Sequence, residues 1–314
     1  MKVLVIGGTG HIGRFLVPML DAEGHDVVCL TSGRSAAKFD RPLNKVQFVT
    51  MKYSESIQDG TFGKMLDEKR FDTVIDVLQE QTPAVYLACK KKEVGHLVVC
   101  GSLWMFGRPK IVPTPEIPQT ECPFPGYLKR FSQMQDTIAL SRREGGPAVT
   151  AIMPPNICGP GKVPIDGMGG RSVEVHLSHR RGEPVILPFP GTNLIGPCDA
   201  EDIARAFYLA VMQREKSGGE IFNVGSAYAL TAERFIQTLA QIYKTTIPIQ
   251  WVSPERYMTE ISPDLGDHFH FLEHMCPDIS KIRLLLGYGP RYTPQETLER
   301  AIRWMEKEMP EFAK

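Results

Sequence analysis

The sequence predicts an α/β fold, in which a doubly wound parallel sheet is followed by a smaller C-terminal α/β lobe. Short runs rich in β-branched residues alternate with amphipathic helical patterns through the first half of the chain. A glycine-rich turn, GGTGHIG at residues 7–13, joins the first apolar run to the first helical pattern. The 314 residues, 42% of them hydrophobic, are enough to bury a core of this size.

Six apolar runs are predicted as strands because each is short and has the composition of a strand buried on both faces. They are residues 2–6, 26–30, 46–49, 73–77, 97–100 and 149–153. The helical patterns between them lie at residues 11–23, 57–69, 83–93 and 127–144. This alternation predicts a Rossmann-type sheet, whose ligand lies at the carboxyl ends of the strands.

The composition changes after Met153 to a passage rich in proline and glycine, which predicts that the chain leaves the sheet there. A helical pattern at 203–212 and an apolar run at 221–224 predict a return to it. Further helices are predicted at 231–243, 279–286 and 294–307. The predicted dinucleotide-binding domain is 1–161, with 199–226 returning to it, and the substrate-binding lobe is 162–198 and 227–314.

Charge and cysteine content indicate which compartment the protein occupies and which partners it does not bind. The 36 basic and 36 acidic residues cancel, which removes the positive charge that non-specific nucleic-acid binding requires. Seven cysteines without a CxxC motif are typical of reduced thiols in the cytosol. We expect no signal peptide before the first strand, and no apolar stretch approaches the length of a membrane span. We therefore expect a cytoplasmic protein that binds neither membranes nor nucleic acid.

The glycine-rich turn is predicted to bind the pyrophosphate of a dinucleotide. Its glycines follow the spacing G-x-x-G-x-x-G, which allows a tight turn, close approach of the backbone to phosphate and close helix packing. The amide groups at the start of the helix would face the anion. The predicted residues of this site are Gly7, Thr9, Gly10, His11, Ile12 and Gly13.

The end of the second strand bears on the choice between NADP and NAD. A carboxylate at this point would bind the ribose hydroxyls of NAD, but residues 27–35 contain none. Thr31, Ser32 and Arg34 offer hydroxyls and a guanidinium, which suit a 2′-phosphate. The sequence therefore favours NADP, and NAD is the alternative if Arg34 only faces solvent.

Five further segments follow the glycine turn in a characteristic order. They are VVCGSLWMFG at 98–107, MPPNICGPG at 153–161, DAEDIA at 199–204, IFNVGS at 221–226 and DISKIRLLLGYGPR at 278–291. With the turn they resemble the extended short-chain dehydrogenase/reductases of the NAD-dependent epimerase/dehydratase family, nearly end to end. The resemblance implies an NAD(P)-dependent oxidoreductase, epimerase or dehydratase that acts on a hydroxyl or carbonyl of a sugar-like or nucleotide-sugar substrate. It also implies a homodimer, formed through the helices near 83–93 and 127–144.

The resemblance assigns catalytic roles to Ser102, which would orient the substrate oxygen, and Tyr127, which would move its proton. It also places Pro154 and Asn156 beside the cofactor. The chain departs from the family's Y-x-x-x-K motif, because Phe131 stands where the lysine is expected. That departure favours an alternative, a dinucleotide-binding protein with little or no catalysis that serves as a redox sensor or partner subunit. An RNA-binding relative of the chloroplast type is disfavoured by the zero net charge.

Other candidate residues lie outside these motifs. His268, His270 and His274 form an H-x-H-x3-H cluster, but no metal site is predicted, because fixed-spacing cysteine or carboxylate ligands are missing. This stretch is expected to cap the cleft or pack between the lobes, and one histidine could substitute as a proton donor. Possible ligands for an anionic substrate group are Lys162, Arg180, Arg181, Arg283 and Arg291.

Overall fold

The computed structural model describes residues 1–34, 38–39, 41–310 and 312. Its centre is a seven-stranded sheet in which all neighbouring strands are parallel. In spatial order the strands are β11 (Ile221–Asn223), β6 (Ala148–Met153), β5 (His96–Cys100), β4 (Thr73–Asp76), β1 (Lys2–Ile6), β2 (Asp26–Thr31) and β3 (Val46–Thr50). The strand order reverses direction between β1 and β4, so the predicted doubly wound sheet is confirmed.

The helices alternate with these strands and continue into the C-terminal half of the chain. They are α1 (Gly13–Ala22), α2 (Tyr53–Gln58), α3 (Thr61–Lys69), α4 (Thr82–Lys91), α5 (Pro125–Glu144), α6 (Val173–Arg180), α7 (Ala200–Met212), α8 (Arg214–Ser217), α9 (Ala232–Tyr243), α10 (Pro254–Arg256), α11 (Leu265–Leu272), α12 (Ser280–Leu286) and α13 (Pro294–Glu308). A 3-10 turn spans Leu103–Phe106. Among the described helices, none is long and apolar enough to pass through a membrane.

Three pairs of short strands lie outside the central sheet. They are β7 (Asn156–Cys158) with β10 (Pro197–Asp199), β8 (Val185–Pro188) with β13 (Ile249–Val252), and β9 (Leu194–Ile195) with β12 (Leu230–Thr231). None of these pairs was predicted, because two- to four-residue strands between glycines and prolines carry too little periodicity.

Alternate residues of the sheet face two separate cores. Val3 and Val5 pack with α1 and α7 on one face, whereas Leu4 and Ile6 pack with α3, α4 and α5 on the other. A third core lies in the C-terminal half, where α9 and α13 bury apolar side chains such as Phe235. The two faces account for the continuous apolar runs, because a strand covered on both sides has no polar face.

Two predictions about these elements are wrong. The strand near 46–49 was expected to be buried on both faces, but β3 is the edge strand and Phe48 is 46% exposed. The single helix predicted at 57–69 is two helices, α2 and α3, because Gly60 adopts a left-handed conformation with φ of 81° between them.

Candidate active site

The glycine turn connects the end of β1 to the start of α1 at the carboxyl edge of the sheet. Gly7 has a φ of 79°, a conformation that favours glycine, and its carbonyl accepts a hydrogen bond of 3.0 Å from the Gly10 amide. Within the described chain, the His11 and Ile12 amides have no hydrogen-bond partner. The N-cap residue of α1, Ile12, makes no side-chain capping bond. These free donors at a helix N-terminus fit a dinucleotide pyrophosphate.

Gly13 permits the close packing that the turn requires. A Cβ atom built on Gly13 would overlap the backbone of Gly8, so a larger residue would push α1 away from the turn. The side chain of His11 leaves the turn and reaches the loop after β7, where Nε2 donates to the Gly159 carbonyl at 3.3 Å. Burial, followed by the charge of Arg171, lowers the pKa of His11 to about 3, so this ring is neutral at pH 7.

The end of β2 provides hydroxyl groups beside the turn. Thr31 Oγ1 lies 3.2 Å from Thr9 Oγ1 and accepts the Gly33 amide at 3.2 Å, which orders the chain after the strand. Ser32 Oγ accepts the Arg34 amide at 3.5 Å, and both side chains are exposed. In the described part of this stretch, residues 31–34, the side chains are hydroxyls and a guanidinium, and none is a carboxylate.

Sequence reasoning missed Asp76, at the end of β4. Its carboxylate is fully buried, accepts the Tyr53 hydroxyl at 2.5 Å and accepts the amides of Leu78 and Gln79 at 3.0 and 2.9 Å. Burial raises the pKa of Asp76 to about 6. These bonds fix the loop that places Leu78 against Gly7 as one wall of the site. A carboxylate directly after a buried strand was the available signal.

Ser102 and Tyr127 open into the same cavity as the glycine turn. This cavity has a volume of about 490 Å³. Ser102 follows β5, and its Oγ accepts the Trp104 amide at 3.3 Å. Tyr127 lies in the first turn of α5, and its ring packs edge-on against Trp104 with the centroids 6.0 Å apart. The structure thus brings together the predicted catalytic pair and the predicted cofactor turn.

Phe131, one helical turn after Tyr127, packs in the core. It is 4% exposed and meets Phe106 edge-on, with ring centroids 5.5 Å apart. Arg130, three residues after Tyr127 on the same helix, places its guanidinium carbon 4.6 Å from the centroid of the Tyr127 ring. Its Nε donates to the Gly126 carbonyl at 3.3 Å, so the long side chain folds back along α5.

Pro154 and Asn156 also line the cavity. Asn156 Oδ1 accepts the Gly196 amide at 3.2 Å, and its Nδ2 lies 2.7 Å from Nδ1 of His270. His270 also lines the cavity and packs on Trp104, with ring centroids 4.7 Å apart. Its helix, α11, joins the two halves of the molecule, because Phe269 belongs to the core under the sheet and Phe271 to the C-terminal core.

The other two histidines of the predicted cluster bind separate partners. His268 Nδ1 donates to the Ser262 carbonyl at 2.9 Å, and His274 Nδ1 accepts the Leu194 amide at 3.2 Å. The three rings therefore do not converge on one point. No group of three metal-ligating side chains occurs within the described ranges.

One of the five predicted anion ligands, Lys162, lines the cavity. A further cation, Arg171, also lines it, and sequence reasoning missed this residue. Arg171 donates to the carbonyls of Val163 and Ile157 at 2.7 and 2.8 Å, which holds its charge at the cavity wall. Desolvation, and then the charge of Arg171, lowers the pKa of Lys162. Among the described lining residues there is no carboxylate, so the cavity is electropositive.

Comparisons with known proteins connect this geometry to a family. The model of the NAD dependent epimerase/dehydratase family matches residues 3–225. The chain is 26% identical to a chloroplast stem-loop binding protein of 41 kDa from Arabidopsis thaliana, over 95% of this chain and 77% of that protein. It is also 26% identical to a UDP-glucose 4-epimerase from Lactobacillus helveticus, over 93% of each chain.

Solved structures have the same fold. One is a UDP-glucose 4-epimerase from Thermotoga maritima with UDP-glucose, which has a TM-score of 0.74 and 21% identity over 98% of this chain and 99% of that one. Another is a dTDP-glucose 4,6-dehydratase from Bacillus anthracis in complex with NAD, which has a TM-score of 0.75 and 19% identity over 98% and 97% of the chains.

Proposed function

The chain belongs to the NAD-dependent epimerase/dehydratase family, and on that premise we propose that it is an NAD(P)-dependent enzyme acting on a nucleotide sugar. The reaction is an oxidoreduction, epimerisation or dehydration at a hydroxyl or carbonyl group of the sugar. One observation carries the proposal: Ser102 and Tyr127 open into the same cavity as the glycine turn.

Each residue has a distinct role in this proposal. The turn from Gly7 to Gly13 binds the cofactor pyrophosphate through backbone amides, and Pro154 and Asn156 border the nicotinamide end of the site. The bound cofactor supplies hydride transfer. Ser102 orients the reacting oxygen of the sugar, and Tyr127 takes or gives its proton.

The charge of the cavity supports an anionic substrate. Lys162 and Arg171 lie at its wall, and none of its described lining residues is acidic. A nucleoside diphosphate would find complementary charge there, in agreement with the UDP-glucose 4-epimerases among the relatives.

We propose NADP as the cofactor, with NAD as the alternative. Thr31, Ser32 and Arg34 come at the end of β2, the position that binds the adenosine ribose in this fold, and a 2′-phosphate is bound better by hydroxyls and a guanidinium than by a carboxylate. An Arg34→Asp variant should lose affinity for NADPH and keep or gain affinity for NADH.

A second candidate function is a dinucleotide-binding protein without catalysis. The burial of Phe131 in the core supports it, because the site then lacks the lysine ammonium of the family motif. The stem-loop binding protein among the relatives also fits a role other than sugar chemistry.

One experiment separates the two functions. NADPH and NADH binding is measured by fluorescence, and turnover is then followed with UDP-glucose, UDP-galactose, dTDP-glucose and free keto sugars. The enzyme is expected to turn over at least one nucleotide sugar, and Tyr127→Phe is expected to abolish that turnover while cofactor affinity is unchanged. Tight cofactor binding with no turnover of any substrate would support the non-catalytic protein instead.

We further propose that the enzyme is a cytoplasmic homodimer. All seven cysteines are free thiols, as expected in a reducing compartment. On α4, which packs beside α5, Leu87 is 58% exposed and would be covered by a partner. Gel filtration with light scattering tests the dimer, and Leu87→Glu should convert it to a monomer.

A further inference from the structure

Asn156 determines the protonation pattern of His270. The Gly196 amide can only donate, so the side-chain atom of Asn156 that faces it at 3.2 Å is the oxygen. The atom that faces His270 Nδ1 at 2.7 Å is therefore the amide nitrogen, which can only donate. His270 Nδ1 must then be the acceptor, and the ring proton must lie on Nε2.

The Nε2–H group has no acceptor within the described part of the chain. The ring is held between Trp104, at a centroid distance of 4.7 Å, and the Asn156 amide. The adjacent Phe269 is fully buried and anchors α11, so the imidazole has a fixed orientation at the cavity wall.

His270 is a neutral group at pH 7. Burial, followed by the charge of Arg171, lowers its pKa to about 3. The His270 ring is therefore a neutral hydrogen-bond donor with its proton fixed on Nε2, and it lines a cavity that Arg171 and Lys162 also line.

We propose that His270 is a substrate-binding residue, whose Nε2–H donates to an oxyanion oxygen of the substrate, of the kind a nucleoside diphosphate carries. Asn156 is the positioning residue that keeps the donor on Nε2. This inference rests on the proposed function for its choice of substrate. The chemistry fits because the described wall places the cations Lys162 and Arg171 in the same cavity as His270 and holds no carboxylate, and an oxyanion accepts from both donors and cations.

The tautomer is tested first, by nuclear magnetic resonance on the full-length protein labelled with ¹⁵N-histidine and saturated with NADP⁺. The signals of His270 are assigned as those that disappear in His270→Gln. Long-range ¹H–¹⁵N correlation at pH 7 is expected to show a neutral ring protonated on Nε2. In Asn156→Asp the proton should move to Nδ1, because a carboxylate cannot donate. A wild-type ring protonated on Nδ1, or on both nitrogens, would overturn the proposal.

Binding is tested next by calorimetry on the NADP⁺-loaded protein, with UDP-glucose and inorganic pyrophosphate as probes. A hydrogen bond to a charged group contributes about 1.5–3 kcal/mol, so His270→Phe should weaken the binding of either probe by about 10- to 150-fold. His270→Gln, which keeps a side-chain donor, should recover part of this loss. His25→Gln is the matched control, because His25 precedes β2 at the other end of the sheet.

The outcomes distinguish this inference from the proposed function. If pyrophosphate binds in a His270-dependent manner but UDP-glucose does not bind, the proposed oxyanion-binding role of His270 is supported and the nucleotide-sugar proposal fails. Equal affinities of the wild type and His270→Phe, or no binding of either probe to the wild type, would contradict the proposed role of His270. Thermal unfolding and NADP⁺ affinity should be the same in His270→Gln and wild type, which separates lost contact from lost folding.

Discussion

Replacing Phe131 by lysine would restore the family's Y-x-x-x-K motif, yet we expect it to destabilise the protein rather than activate it. Phe131 is 4% exposed and lies edge-on to Phe106 in the core under the sheet. A lysine at this position would leave its ammonium in an apolar environment or would have to draw its stem out of the core.

The expected loss can be estimated from this burial. Removal of a buried phenylalanine side chain costs about 3–5 kcal/mol, and an unpaired charge offers no compensation. At about 2.1 cal/mol/K per residue, the 314 residues give an unfolding entropy of about 0.7 kcal/mol/K. The unfolding midpoint of Phe131→Lys should therefore fall by about 5–8 °C.

Thermal unfolding followed by circular dichroism measures this shift, and nucleotide-sugar turnover is measured on the same preparation. Phe131→Met, which nearly conserves volume, should cost less than about 1.5 kcal/mol. Lys129→Ala, on the exposed face of the same helix, should leave the midpoint unchanged. If Phe131→Lys kept the wild-type midpoint and raised turnover, the side chain at 131 would face the cofactor and our placement of Phe131 in the core would be wrong.

Three further predictions concern the cofactor turn, the buried acid and the cavity cations. Gly13→Ala should abolish detectable NADPH binding in a fluorescence titration, because its Cβ would overlap the Gly8 backbone. Asp76 has a pKa of about 6 in the folded protein, above its ordinary value, so the folded chain retains a proton that the unfolded chain releases. Its contribution to stability should rise by about 3 kcal/mol as pH falls from about 6 to about 4, and urea unfolding of Asp76→Asn should lack this rise. Lys162→Ala should weaken UDP-glucose binding severalfold at low salt, with a smaller difference at high salt, and change stability by less than about 0.5 kcal/mol.

The sequence predicts the central sheet well because its signals are local. Each strand is a contiguous apolar run, and the turn at residues 7–13 has the glycines that its backbone requires. The wall formed by Arg171 and His270 has no such signal, because the two residues are 99 positions apart and meet only through the folding of the C-terminal lobe. Asp76 was missed for a related reason: its partner Tyr53 comes from a different βα unit.

Arg130 shows why spacing alone gives an incomplete account of the tyrosine site. Helix periodicity places both the third and the fourth residue after Tyr127 beside it, and these are Arg130 and the apolar Phe131. The Arg130 side chain folds back until its Nε donates to the Gly126 carbonyl at 3.3 Å, which brings the guanidinium over the Tyr127 ring. A long flexible stem can thus supply a cation from a helical position that a short side chain could not use. A positive charge therefore lies over the face of the Tyr127 ring, although Phe131 stands where the family motif has lysine.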